Sequence, residues 1–318
     1  DAFRSGTELT EVEGIAFRND QGQVVITPKR KAGNIHELPV VDWKFFEVDR
    51  YLEMTSNNAF GLQELDENTV VFPVSTARGC AFRCTFCHFV FWDDLYRYRT
   101  PESVLGEIRR NMDEYGANYI NFWDDLSFAG LKQVERMCQA ILDSDLQFEW
   151  SASIRTDLFG NPKTSYENRR RVAEMMKQAG CRSTGYSLES GNPEILKLMN
   201  KKVRPEWFSE QIRILNEVGI TSMTSAVFGY PIETKETIRE TFAMCLSNRV
   251  YPSIGFLLPL PYTGMYQHAK EHGFITDEDA YLTQITERQD FILNMTQLSE
   301  EEIMDEIKAG STELNRQL

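Results

Sequence analysis

From Val71 onward, short apolar runs alternate with longer segments in which apolar residues recur every three or four positions. That alternation predicts repeated strand–helix units, and repeated units predict a parallel sheet covered by helices. Six strands are expected: Val71 to Ser75, Tyr119 to Trp123, Phe148 to Ala152, Ser183 to Leu188, Thr221 to Phe228 and Ser253 to Leu258. The segments between them carry helix start signals. Thr100-Pro101 and Asn192-Pro193 each set a capping side chain before a proline at the first helical position. Pro205 opens another helix, and Thr234 can cap the one running through Ile238 and Phe242. Gly116, Gly180 and Gly219 follow three helix ends, where a left-handed backbone suits glycine. Six units are too few for an eight-fold barrel, so the fold class is α/β, either a partial (β/α)6 TIM-like barrel or an open doubly wound sheet. Both place their chemistry at the carboxyl ends of the strands.

The flanks read differently. Residues 1–70 are expected to be a lead-in segment whose clearest element is a hairpin: Gly14-Ile15-Ala16-Phe17, a turn at Asn19-Asp20-Gln21-Gly22, then Val24-Val25-Ile26 ended by Pro28. The apolar stretch Leu38 to Trp43 needs a surface to pack on, and Tyr51 to Asp66 is polar enough to read as loop. Residues 71–260 form the core, and residues 261–318 a helical extension. In that extension Ser299-Glu300-Glu301-Glu302 makes a capping box ahead of Ile303, Met304 and Ile307, on a helix expected to cover the side or mouth of the barrel. No internal repeat or low-complexity segment is present.

Composition narrows the function. A chain of 318 residues, 42% hydrophobic and 26% charged, has a globular profile, and no apolar run approaches the roughly 18 residues of a membrane span. Asp1-Ala2-Phe3-Arg4 lacks the regions of a signal peptide, so a cytoplasmic setting is expected. A formal charge of -14 argues against broad binding to nucleic acid and favours a small-molecule or peptide substrate.

Six cysteines are present, and only Cys80, Cys84 and Cys87 lie close together, which is no disulfide framework. Cys138, Cys181 and Cys245 read as small buried hydrophobes. The three clustered thiols sit on the loop after the first strand, where all can converge on one cofactor, and soft ligands suit zinc or iron–sulfur. A structural zinc wants a fourth ligand. His88 is the nearby candidate, yet it directly follows Cys87, and adjacent residues rarely face one small ion. A four-iron cluster on three cysteines leaves one iron open, as a catalytic metal requires. A zinc-stapled binding module is the reading of another class.

Arg78-Gly79-Cys80-Ala81-Phe82-Arg83-Cys84-Thr85-Phe86-Cys87, a CxxxCxxC with an aromatic before the last cysteine, resembles the radical S-adenosylmethionine superfamily. The resemblance implies the radical SAM type of partial barrel and a 4Fe–4S cluster on Cys80, Cys84 and Cys87. It also implies that S-adenosylmethionine bound at the open iron is cleaved to a 5'-deoxyadenosyl radical. Phe86 would lie against the adenine or simply pack in the core. Asp124-Asp125 after strand two looks like the family's ligand-contacting motif there, or else a solvated turn before Gly130. Ser153 and Arg155 close strand three, Glu189-Ser190-Gly191 resembles the segment that contacts methionine or ribose, and Gly229-Tyr230-Pro231 with Glu233 closes strand five, where family members pass backbone close to the adenine.

GIAFRNDQGQVVITP, LPVVDW, DDLSF, SLESGNPEILKLMNKK and PLPYTGMYQHAKEHGFI together resemble the branch in which a cobalamin-binding domain precedes the radical core. The DxHxxG motif of that domain is absent, so the chain is expected to be an excised core or a relative that lost it. The resemblance implies methyl transfer to a small molecule with cobalamin, or radical rearrangement, dehydration or cyclisation without it, and a reducing partner such as flavodoxin or ferredoxin. No cysteine precedes Cys80 or follows Cys245, which sets aside branches with auxiliary clusters. His268 and His272 have a metal-ligand spacing but no evident third ligand; Lys29-Arg30-Lys31 reads as solvated. Tyr96, Arg97, Tyr98 and Arg99 line the site or form plain surface.

Overall fold

Side-chain caps start the helices where the sequence places them. Thr100 accepts from Ser103 N ahead of Pro101, Asn192 accepts from Glu194 N and Ile195 N, and Thr234 forms a capping box with Thr237. The computed structural model describes residues 2–55, 66, 68–87 and 95–318, which divide into two compact units, 1–39 and 40–318. The first holds a short helix α1 (Ala2–Ser5) and the expected hairpin, β1 (Ala16–Arg18) paired antiparallel with β2 (Val24–Ile26). Its turn is closed by Gly22 N donating to Asn19 O at 2.9 Å.

The second unit begins inside the segment expected to be lead-in. Trp43 meets Phe72 edge to face at 5.1 Å, so that end of the expected apolar stretch packs, while Leu38, Val40 and Val41 are exposed. The chain then forms helix α2 (Val48–Thr55), which corrects the reading of Tyr51 to Asp66 as loop. Polar residues there are the outer face of an amphipathic helix whose Val48 is buried. Of that stretch, residues 56–65 lie outside the described residues.

Six parallel strands follow: β3 (Val71–Val74), β6 (Tyr119–Phe122), β7 (Glu149–Ser153), β8 (Cys181–Gly185), β9 (Thr221–Phe228) and β10 (Pro252–Phe256). Between β3 and β6 lie a two-stranded antiparallel pair, β4 (Ala77–Arg78) with β5 (Arg97–Tyr98), and helix α3 (Pro101–Tyr115). The other connections carry α4 (Leu131–Leu142), α5 (Asp157–Gly160), α6 (Tyr166–Gln178), α7 (Pro193–Leu198), α8 (Pro205–Glu217) and α9 (Lys235–Ser247). The sheet order is β10-β9-β8-β7-β6-β3, the strands lying in sequence order. Strictly sequential order excludes the doubly wound arrangement, which reverses direction partway, and makes this a partial (β/α)6 barrel. Pro73 and Pro252 sit in the two edge strands, where a missing N–H breaks no ladder.

Alternate strand positions face the helices or the barrel interior. Phe122 and Trp150 pack 5.1 Å apart in the apolar layer with Val104, Ile108, Met137 and Cys138. The inner positions are small and polar; Ser151 Oγ donates to Asn121 Oδ1 at 3.1 Å. Cys138, Cys181 and Cys245 are buried free thiols. At the turn into β8, Gly180 has φ 91, and a side chain there would collide with Phe148 O.

The C-terminal extension is less continuously helical than expected. It holds α10 (Gly264–Glu271), α11 (Glu278–Gln284) and α12 (Glu300–Gln317), the last started by the expected Ser299–Glu302 capping box. Helix α12 lies on α9, with Gly310 directly against the Phe242 ring and Arg239 paired to Glu306 at 2.6 Å. Among the described residues no helix is long and apolar enough to cross a membrane.

Candidate active site

A cavity of about 450 Å3 opens at the carboxyl ends of the strands, and Cys80, Cys84 and Cys87 all line it. The loop carrying them is held from both sides. Asn200 Nδ2 donates to Arg83 O at 2.6 Å, Thr85 N donates to Met199 O at 2.9 Å, and Met265 N of α10 donates to Thr85 O at 3.0 Å. The loop after the first strand therefore reaches the connections after the fourth and sixth.

Asp124 fixes the base of this loop. Its Oδ1 accepts from Ser75 Oγ, Thr76 N and Ala77 N, and its Oδ2 from Thr76 Oγ1 at 2.6 Å. A carboxylate with four donors is already committed, and Asp124 does not line the thiol cavity. Of the two aspartates expected at a cofactor, Asp124 staples the cysteine loop to the end of strand β6, while its neighbour Asp125 lines the cavity. Ser153, Arg155, Glu189 and Phe86 line it as well.

Two further expected residues stand outside the cavity wall. Ser190 is buried, and its Oγ accepts from Asn192 N at 3.1 Å, which shapes the start of α7. Gly229, at φ 97, donates its N–H to Glu233 at 3.1 Å and faces the Phe291 ring. Both serve the turns that follow their strands. Glu233 is almost fully buried, and desolvation pushes its carboxyl up to about 7 against hydrogen bonds from Thr237 and the backbone of Gly229 and Tyr230.

Glu189 has the most unusual surroundings. Its backbone sits at φ 63, rare for a side chain of this size, and is held by Glu189 N to Ser225 O at 3.0 Å and Val227 N to Glu189 O at 2.9 Å. Lys201 Nζ donates to Glu189 Oε1 at 2.6 Å, while the buried Oε2 has no partner. Lys201 lies between Asn200 and Lys202, both at positive φ, a backbone path that turns its side chain inward. Its carbonyl accepts from Arg155 Nη2 at 2.7 Å, and Arg155 also donates to Asp157 and stacks on Phe82 at 3.3 Å. Sequence reasoning missed Lys201, because nothing in Asn200-Lys201-Lys202 separates the buried lysine from the exposed one.

Burial pushes the Cys84 thiol up, opposed by the charges of Lys201 and Arg155 and reinforced by Glu189 and Cys80. The donor set fits a soft metal centre: three thiols line one cavity together with the cations Arg155 and Lys201. Among the described residues no three His, Cys, Asp or Glu side chains converge closely enough to hold an ion as they stand. His88, the candidate fourth zinc ligand, lies outside the described residues. Phe86 meets Tyr230 edge to face at 6.3 Å, so one ring both lines the cavity and packs in the core. Tyr96 and Tyr98 line a neighbouring cavity instead, and Arg99 pairs with Glu107. His268 and His272 stack on each other at 4.0 Å on and beyond α10.

The family model for the Radical SAM superfamily matches residues 74–245. An uncharacterised methyltransferase of Pyrococcus horikoshii is 26% identical over 272 residues, 85% of this chain and 54% of that protein. An anaerobic magnesium-protoporphyrin IX monomethyl ester cyclase of Rubrivivax gelatinosus is 24% identical over 85% of this chain and 46% of its own. The cobalamin-dependent S-adenosylmethionine radical enzyme OxsB superposes with a TM-score of 0.63 at 17% identity, over 93% of this chain and 40% of that one. The radical S-adenosylmethionine methyltransferase TsrM from Kitasatospora setae gives 0.59 at 19% identity, over 85% and 51%. These structural likenesses show a shared fold. The chain spans about half the length of the curated relatives it matches.

Proposed function

Because this chain belongs to the radical SAM superfamily, whose enzymes use a 4Fe–4S cluster and S-adenosylmethionine, we propose that Cys80, Cys84 and Cys87 hold that cluster and that the protein cleaves S-adenosylmethionine reductively. The observation that carries the reading is three thiols sharing one cavity wall with the buried Glu189–Lys201 pair, at the active face of a partial barrel. When bound, the cluster supplies the electron that breaks a carbon–sulfur bond of the sulfonium. The chain's own residues bind and orient. The unpartnered Glu189 Oε2 accepts from the ammonium or ribose hydroxyls of S-adenosylmethionine, Lys201 holds the carboxylate in place, and Asp125, Ser153 and Phe86 bound the pocket.

The reaction we favour is methyl transfer to a small molecule with cobalamin, in keeping with the methyltransferase relative in Pyrococcus horikoshii. A radical cyclisation is the second reading, favoured by the cyclase of Rubrivivax gelatinosus, which covers as much of the chain. In either case the electron comes from a reducing protein such as flavodoxin or ferredoxin. The domain reading goes with this: residues 71–260 as catalytic core and 261–318 as its cover.

The test is iron and sulfide content and the visible spectrum of anaerobically purified protein, with release of 5'-deoxyadenosine on reduction. About four irons per chain, a brown colour and their loss in the Cys80→Ala/Cys84→Ala/Cys87→Ala variant are expected. One tightly bound zinc in a colourless, air-stable protein overturns the reading in favour of a metal-stapled binding module.

A further inference from the structure

The segment between α11 and α12 brings to the thiol cavity a cation that the cofactor reading leaves without a role. Phe256 N, at the end of edge strand β10, donates to the backbone carbonyl of Arg288 at 2.6 Å, and the Phe291 ring stacks on Phe256 at 4.8 Å. These contacts pin the segment across the strand end. The Arg288 Cγ and Cδ then run 3.5 Å from the point where a side chain on Gly255 would begin, and the residue lines the cavity. Among the described residues, nothing forms a hydrogen bond or ion pair with its guanidinium. The other cavity cations are committed, Arg155 to Asp157 and the Lys201 carbonyl, and Lys201 to Glu189.

Hydroxyls line the same cavity as this cation. Ser253 stands two residues before Gly255 and so shares its face of β10. Its register partner on β9 is Ser225, whose Oγ donates to Ser187 Oγ at 2.8 Å. All three serines line the cavity. A guanidinium offers a planar fork that matches a carboxylate or phosphoryl group two bonds at a time, and serine hydroxyls can donate to the remaining oxygen. In a protein of formal charge -14, a cation kept unpaired inside the reaction cavity is a local exception to a field that repels anions.

We propose that Arg288, with the hydroxyls of Ser253 and of Ser187, whose own proton is left free by the bond it accepts from Ser225, forms an anion subsite that binds a carboxylate or phosphoryl group of the substrate, which makes the substrate a small anionic molecule. The proposal rests on the reading of this cavity as the reaction site. Its test is titration of inorganic phosphate into the anaerobically purified protein, followed by phosphorus NMR, for the native chain, Arg288→Gln and Arg288→Lys. Loss of a charge-assisted pair should weaken phosphate binding about tenfold or more in Arg288→Gln, with partial return in Arg288→Lys. Affinity for S-adenosylmethionine, measured on the same samples, should stay within about twofold, because only the substrate's anion is involved.

Equal phosphate binding by the native chain and Arg288→Gln overturns the subsite. So does an equal loss of S-adenosylmethionine affinity, which would give the guanidinium to the carboxylate of the cofactor. Release of 5'-deoxyadenosine by the native chain reports separately on the proposed activity, so the two readings can fail independently.

Discussion

Replacing Lys201 by methionine removes a charge and little else, since the unbranched stem keeps its volume. In the native protein the Lys201 and Glu189 side chains are only 10% and 5% exposed and meet at 2.6 Å. Glu189 Oε2 is already buried without a partner, so the substitution leaves both oxygens of a buried carboxylate unpaired. Breaking a buried pair from one side costs about 3–5 kcal/mol, against at most about 1 kcal/mol for an exposed pair. At roughly 2 °C per kcal/mol for a unit of this size, the melting temperature should fall by about 6–10 °C. The measurement is thermal unfolding by circular dichroism for Lys201→Met, Glu189→Gln and the double variant. Because the penalty comes from an orphaned charge, the double variant should be more stable than Lys201→Met alone. A Lys201→Met cost below about 1 kcal/mol would refute the reasoning, since the pair would then behave as a solvated one. Simple addition of the two single costs would refute it equally.

Asp124→Ala should strip four acceptor bonds from the cluster loop, costing about 2–4 kcal/mol and lowering iron content after reconstitution, whereas Asp124→Asn should retain most of both. Melting and iron assays on the two variants decide it; equal iron loading in Asp124→Ala removes the stapling role. Glu233 gives a pH signature. Its carboxyl titrates near 7 when folded and has an ordinary value of 4.5, so the native state holds the proton more tightly. Its contribution to stability is present in full below pH 4.5 and lost as pH rises through about 7, a change of about 3 kcal/mol. Denaturant unfolding from pH 4.5 to 8 should show native stability declining relative to Glu233→Gln; parallel curves would contradict this. Gly310→Val should push α12 off the Phe242 ring and cost about 1–3 kcal/mol, read as a lower urea midpoint.

The strands were legible in the sequence because each is a short apolar run between capped helices, and Pro73 and Pro252 even mark the two edges. Their order was not legible, since partial barrel and doubly wound sheet share one local pattern and differ only in which neighbours pair. Helix α2 was misread because its apolar face is only a few residues wide. At the site, the strand-end motifs led to the face where the cavity opens, but type and spacing do not tell a carboxylate that lines a cavity from one that meets its own backbone. Asp124 and Asp125 are adjacent, and the turn after β6 sends one into a nest of donors and the other to the cavity wall. Lys201 and Arg288 left no signal at all: each is one cation among several, singled out only by a local backbone path or by a strap crossing a strand end.

The contacts that hold the cysteine loop also set a timetable. Thr85 Oγ1 donates to Leu198 O across 113 residues, and Asn200 to Arg83 O across 117, so the shelf beneath the thiols is made long after the thiols themselves. At roughly 5–20 residues per second on the ribosome, that interval is about 6–23 seconds. Meanwhile each strand can pair with the one made just before it, and the barrel can grow behind a loop that is still loose. Three soft thiols are thus made before the contacts that shelve them, and the nascent chain is the stage at which they are least shielded.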